Sequence, residues 1–323
     1  MNVPKLFVAA MAAFALGVAQ APAQDWPSKP VRFVVPFAAG GSTDVLTRLL
    51  CDQLAIELKT PCVVENKGGA GGNVGGQAVA TSPPDGYTFL VSAPGVLAYN
   101  KILYREMAFD PDKDLDPICL YAFQPNVLVV HPSLPVKSVE ELIAYAKANP
   151  RKLNYASGGV GSTSHVAGEL FRTMAGLEWQ HVPYRGTGPS LVDLLAGQVQ
   201  LTIDNLPAIL PHIKTGALRA LAISTDKRVP QLPDLPTIAE AGLPGYAAIS
   251  WQMVAVPTGT PRPIIDRMAA TISKLTAEPA FRARVADAGA EPAGGTVDEA
   301  RAFVKQETVK WREVVLKSGA KAD

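Results

Sequence analysis

Two stretches gather hydroxyls beside small residues in a pattern that can hold an anion. Ala38-Ala39-Gly40-Gly41-Ser42-Thr43-Asp44 follows the apolar run Val31 to Val35. Ser157-Gly158-Gly159-Val160-Gly161-Ser162-Thr163-Ser164-His165 follows Leu153-Asn154-Tyr155-Ala156. Each reads as a strand, a loop of small residues and a helix start rich in hydroxyls, with Ser42 or Thr43 able to cap the first helix. Such a turn aims unpaired amides and the positive end of a helix dipole at one spot, which suits a carboxylate or phosphate. One such turn is equally an ordinary βα connection. Two can grip a ligand from opposite sides.

Other residues offer chemistry at the ends of strands. Ser92 closes a third apolar strand before Ala93-Pro94-Gly95, again a loop of small residues. Asp204 ends another strand, where open α/β sheets bind ligands, and its plain role is an Asx turn with Asn205. Tyr184 and Arg185 put a phenol and a guanidinium at one edge, or a solvated rim charge. His131, His165, His181 and His212 lack the spacing of a metal site. His165 beside Ser162 and Ser164 raises a hydrolase as the alternative class. Gly161-Ser162-Thr163-Ser164-His165 lacks the second glycine of a nucleophile elbow, so bracing of the loop is the better reading. Gly68-Gly69-Ala70-Gly71-Gly72 fits neither Gly-x-Gly-x-x-Gly nor a phosphate loop, and reads as a close-packed turn.

The elements that position these residues alternate strand and helix. Val31–Val35, Cys62–Asn66 and Tyr87–Val91 with the intervening helices make a βαβαβ half of a doubly wound sheet. Ile118–Phe123 and Val127–Val130 read as two further strands separated by Gln124-Pro125-Asn126. The second half repeats the style, and amphipathic helices near 280–288 and 297–317 close the chain.

Met1 to Ala23 reads as an export leader: Lys5 is its only charge, and Ala21-Pro22-Ala23 fits a small-x-small cleavage site. Its apolar run, Leu6 to Ala19, would span about 21 Å as a helix, short of the roughly 30 Å bilayer core. Cleavage after Ala23 gives a secreted or periplasmic chain starting at Gln24, with no cysteine there for a lipid anchor. Removing Lys5 from 30 basic residues leaves 29 against 29 acidic ones, which argues against nucleic acid or an anionic membrane as partner. Cys51 in mid-helix and Cys62 at the next strand lie about 12 Å apart along the helix, so the spacing argues against a local bridge.

Taken together, Pro36 to Asp44, Val64-Glu65-Asn66-Lys67 with Gly69-Ala70-Gly71-Gly72-Asn73, Pro84-Asp85-Gly86-Tyr87, Leu153 to Ser157, Gly161 to His165, His181-Val182-Pro183-Tyr184 and Asp204-Asn205 resemble the Bug (TctC-like) family. These are extracytoplasmic solute receptors of tripartite tricarboxylate transporters. The likeness covers nearly all of the exported chain. Ala38-Ala39 departs from it, since many members carry prolines there.

The resemblance implies a type II periplasmic-binding-protein fold, α/β, with two doubly wound lobes joined by two crossover strands. The implied lobes are 24–124 plus 250–323, and 125–249, after a signal peptide at 1–23. It implies no enzyme activity and no cofactor. The receptor acts as a monomer, with a small organic carboxylate in the interlobe cleft and permease subunits as partners. Dicarboxylates, tricarboxylates, aromatic acids and acidic amino acids all fit this anchoring. The expected ligand contacts are Ala38, Gly40, Ser42, Thr43, Ser92, Ser157, Gly161, Ser162, Thr163, Tyr184, Arg185 and Asp204.

Overall fold

Val31, Phe33, Val34 and Val35 are wholly buried, as expected of a strand covered on both faces. The structure, a computed structural model, describes residues 26–322, so the leader and its cleavage site lie outside the described residues. Strand β1 (Val31–Val35) leads through helix α1 (Ser42–Glu57) to β2 (Cys62–Asn66), then through α2 (Asn73–Ala80) to β3 (Thr88–Ser92). The three strands pair in parallel, with β1 in the middle, which the two helical crossovers allow.

The second half is built the same way. After β4 (Leu115–Val130) and α3 (Val139–Ala148) come β5 (Asn154–Ser157), α4 (Thr163–Ala175), β6 (Gln180–Pro183), α5 (Thr187–Leu195), β7 (Leu201–Asn205), α6 (Leu206–Lys214) and β8 (Arg219–Ile223). Here β5 lies between β6 and β7, parallel to both. Strand β9 (Ile249–Pro257) returns antiparallel to β3 and β4. Helices α7 (Arg262–Ala277) and α8 (Pro279–Asp287), the short β10 (Glu291–Pro292) and α9 (Val297–Ser318) follow. The sheet runs β2-β1-β3-β9-β4-β7-β5-β6, with β8 and β10 on β4.

Two expectations are corrected. The two strands expected on either side of Gln124-Pro125-Asn126 are one, β4. Pro125 has no N–H to place, and it sits where β4 changes partner, from β9 up to Pro125 to β7 from Asn126 on. The amide of Asn126 goes instead to Ser224 Oγ at 2.9 Å.

The second correction is the bridge between Cys51 and Cys62, whose Cα atoms are 5.2 Å apart. Helix α1 ends at Glu57 and Pro61 has already turned the chain, so β2 starts back alongside the helix it left. A loop of about this length confers roughly 3 kcal/mol by restricting the unfolded chain. Reduction, or Cys51→Ser with Cys62→Ser, is therefore expected to lower stability by about 2–3 kcal/mol in denaturant titrations. An unchanged midpoint would rule this out.

Helix α9 buries Val297, Ala300, Val304, Glu307, Trp311, Val315 and Ser318, a stripe at helical spacing. Its Glu307 carboxylate accepts from the indoles of Trp251 and Trp311 at 2.8 and 2.9 Å. At its far end the Ser318 carbonyl accepts from Thr173 of α4. The last helix thus lies across the back of β4 and also touches the second half.

Candidate ligand-binding site

Four helices of nine residues or more start around one gap: α1 at Ser42, α4 at Thr163, α5 at Thr187 and α6 at Leu206. The gap is lined by the main chain and side chains of these starts, together with Phe37, Ala93, Gly158 and the end of β7. The first amides of each helix have no carbonyl in their own helix to bond, so the gap gathers donors and positive dipole ends. Ser42, Thr43, Ser162, Thr163, Ser164 and Thr187 add hydroxyls, and no Lys, Arg or His lines it.

The two halves are closed on each other around a space of about 20 Å³. Ser42 Oγ donates to the Asn205 carbonyl and accepts from Ala208 N, both at 3.0 Å. Ala38 N donates to the Arg185 carbonyl at 3.1 Å, and Tyr104 Oη to the Val160 carbonyl at 2.7 Å. Backbone meets backbone at this seam. A Cβ on Gly71 would lie 2.1 Å from the Val160 carbonyl oxygen, and one on Gly188 2.3 Å from that of Ala39.

Ser42, Thr43, Ser162, Thr163 and Asp204 come together on the cleft. Ser42 does not cap α1. Gly41 holds the cap position without a side-chain bond, because the serine hydroxyl is spent across the cleft. Ser162 does cap α4, accepting from His165 N at 3.3 Å and sharing a bond with Ser164 Oγ at 3.1 Å. Thr43 Oγ1 accepts from Gln252 of β9 at 3.1 Å.

Asp204 is fully buried. It accepts from Asn205 N at 2.7 Å and Thr187 Oγ1 at 2.9 Å, and burial outweighs these bonds to push its pKa up to about 6.

The other expected residues stand behind or beside the gap. Ala38 offers its amide to Arg185, Gly40 gives its amide to Asp44 at 3.0 Å, and Ser92 bonds the Ala93 carbonyl at 2.9 Å. Tyr184 Oη donates to Asp193 at 2.7 Å, and the Arg185 side chain is exposed while its carbonyl serves the seam. Gly161 gives its amide to His165 Nδ1 at 3.2 Å. Ser157 is buried, shares a bond with His181 Nε2 at 2.5 Å and accepts from Gly159 N at 3.1 Å. That pair braces the loop from beneath, and neither residue is among those that line the cleft.

Sequence reasoning missed Thr187, Ser164 and Gly158 as cleft residues. Arg185-Gly186-Thr187-Gly188 carries the same signal as the other two turns, a hydroxyl after glycine at a helix start.

A larger cavity, about 710 Å³, opens on the opposite face of β4 and β9, against Phe123 and Trp251. Side chains alternate along a strand, so these rings point away from the cleft that Gln252 faces. No helix starts converge there, and the cleft between the halves remains the ligand-site candidate.

The model of the tripartite tricarboxylate transporter family receptors, TctC, matches residues 46–320. The chain belongs to this receptor family. Among TctC relatives, protein BugT of Bordetella pertussis is 40% identical over 300 residues, covering 93% of this chain and 92% of BugT. Rpa4515 of R. palustris, solved with adipate, superposes with a TM-score of 0.90 at 43% identity, covering 92% of this chain and 99% of that one. MatC of Rhodopseudomonas palustris, solved with malate, gives 0.85 at 34% identity, over 90% of this chain and 100% of MatC. The fold is therefore the two-lobed one of periplasmic binding proteins, as TctC membership implies. TctC proteins are solute receptors, and no described helix of this one is long and apolar enough to cross a membrane.

Proposed function

We propose that this receptor captures a small organic carboxylate between its lobes, outside the cytoplasm, and delivers it as a monomer to the permease subunits of a tripartite tricarboxylate transporter. The observation that carries this reading is the convergence of four helix starts and six hydroxyls on one gap that no cationic side chain lines. Helix amides and hydroxyls can hold a carboxylate without a permanent charge, so release costs less than from an arginine clamp. The adipate and malate in the two related structures are acids of this kind. The lobes divide near Gln124 and Ile249. Support comes from β4, which exchanges β9 for β7 at Asn126. A space of about 20 Å³ has room for about one water, so an acid of several carbons enters only when the lobes swing apart.

The test is calorimetry and thermal shift over dicarboxylates, tricarboxylates, aromatic acids and acidic amino acids. One class is expected to saturate the protein at one site, adding about 2.7 kcal/mol of stability at 100 times its dissociation constant. Ser162→Ala is expected to weaken that ligand by about ten- to a hundredfold if the hydroxyl bonds the carboxylate. A change that leaves affinity intact and costs only about 1 kcal/mol of stability would make Ser162 merely a cap.

A further inference from the structure

We propose that the cleft takes a straight-chain dicarboxylic acid together with one proton, shared between Asp204 and the distal carboxyl of the ligand. This deepens the reading above and rests on it. Among the described residues, Asp204 is the only ionisable side chain lining the cleft, and it is fully buried there. Asn205 N donates to one of its oxygens and Thr187 Oγ1 to the other, the Ser164 hydroxyl is a third donor beside them, and the roughly four lone-pair sites of a carboxylate leave room for one more. The side-chain Oδ1 of Asn205, in the same lining, is buried without a partner among the described residues. The far wall of the cleft thus presents acceptors that ask for a donor, and an ionised carboxylate has none.

Charged groups on the neighbouring elements do not relieve this. Asp44 at the start of α1 is paired with Arg48 and bonds Gly40 N. His165 on α4 accepts from Gly161 N, and Asp193 on α5 accepts from Tyr184. Two carboxylates brought together in such a space cannot both stay ionised, and a single proton between them converts repulsion into a hydrogen bond. The upward shift of Asp204 to about 6 already favours holding that proton. His165 and His181, held down at about 4 and about 3 by burial, do not titrate near neutrality and leave the signal to this pair.

The test is calorimetry of succinate, glutarate and adipate at pH 7.5 in phosphate and in Tris, whose different ionisation enthalpies reveal proton exchange. Binding of the tightest of the three is expected to take up about one proton, and its Kd to rise about tenfold per pH unit above neutrality. In Asp204→Asn the uptake is expected to vanish while binding survives and loses its pH dependence. Saturating binding with no proton uptake, or uptake that persists in Asp204→Asn, overturns the inference. So does failure of all three acids to bind: if hexanoate or benzoate binds instead, the carboxylate receptor stands without the shared proton. If no carboxylate binds at all, both fall.

Discussion

Gly188→Ala is expected to weaken ligand capture by about 30- to 150-fold while leaving the fold as stable as before or slightly more so. Gly188 is the second residue of α5, with an ordinary helical backbone, where alanine is the better helix former by up to about 1 kcal/mol. Outside its own helix, the three heavy atoms nearest the added methyl are the Ala39 carbonyl oxygen at 2.3 Å and backbone carbons of Ala39 and Gly40, all on the facing loop. Backbone cannot give way as a flexible side chain would, so the lobes stop short of full closure. The seam bonds from Ala38 N to Arg185 and through Ser42 then lengthen or break. Losing two or so such bonds, and with them one wall of ligand contacts, amounts to about 2–3 kcal/mol. Calorimetry with the ligand found by screening measures the affinity, and small-angle scattering measures whether ligand still compacts the protein. Affinity within threefold of the parent with normal compaction would show that the seam does not gate closure.

This seam was half legible in the sequence. The two turns at Ser42 and Ser162 could be read because strand pattern, small residues and hydroxyls lie next to each other in the chain. So could Asp204, since a strand end in an α/β sheet is where ligands sit. Thr187 carried a comparable signal, but without the fold nothing says that α5 starts opposite Ala39. The destinations of hydroxyls were illegible for a related reason. Ser42 looks like a cap, yet its partners Asn205 and Ala208 lie more than 160 residues away. Tyr184 and Arg185 were expected at the cleft because they follow a strand. The tyrosine is drawn back to Asp193 nine residues on, and the arginine contributes only its carbonyl. The cysteine bridge is illegible for a simpler reason: the helix carries the chain away from Cys51, and the turn at Pro61 that brings Cys62 back to a Cα distance of 5.2 Å leaves no mark in the spacing.

Acid is expected to destabilise this protein well before its surface carboxylates are all protonated, through the two histidines beneath the second turn. His165 and His181 stack with ring centroids 4.4 Å apart, and His181 stacks in turn on Tyr155. Burial lowers both, to about 4 and about 3, and for His181 the neighbouring ring adds to it. The His165 Nδ1 that accepts from Gly161 N must be unprotonated to do so. In the unfolded chain both titrate near 6.5. The unfolded state therefore binds more protons between 6.5 and the folded values, and stability falls as pH drops through that window. From pH 7 to pH 5 the two groups together lose on the order of 4 kcal/mol. Asp204 works the other way: raised to about 6, it is relieved as it protonates and returns on the order of 1 kcal/mol over the same interval. Urea titrations at pH 7 and pH 5 are expected to show a net loss of about 3 kcal/mol, with His181→Gln removing about two-thirds of it. The loop from Gly158 to Ser164 hangs on this pair through Ser157 and Gly161. Hydrogen exchange at its amides should therefore accelerate at pH 5 before exchange in β1 or β3 does. Equal stability at the two pH values, or His181→Gln as acid-sensitive as the parent, would show that the pair is not what carries the acid response.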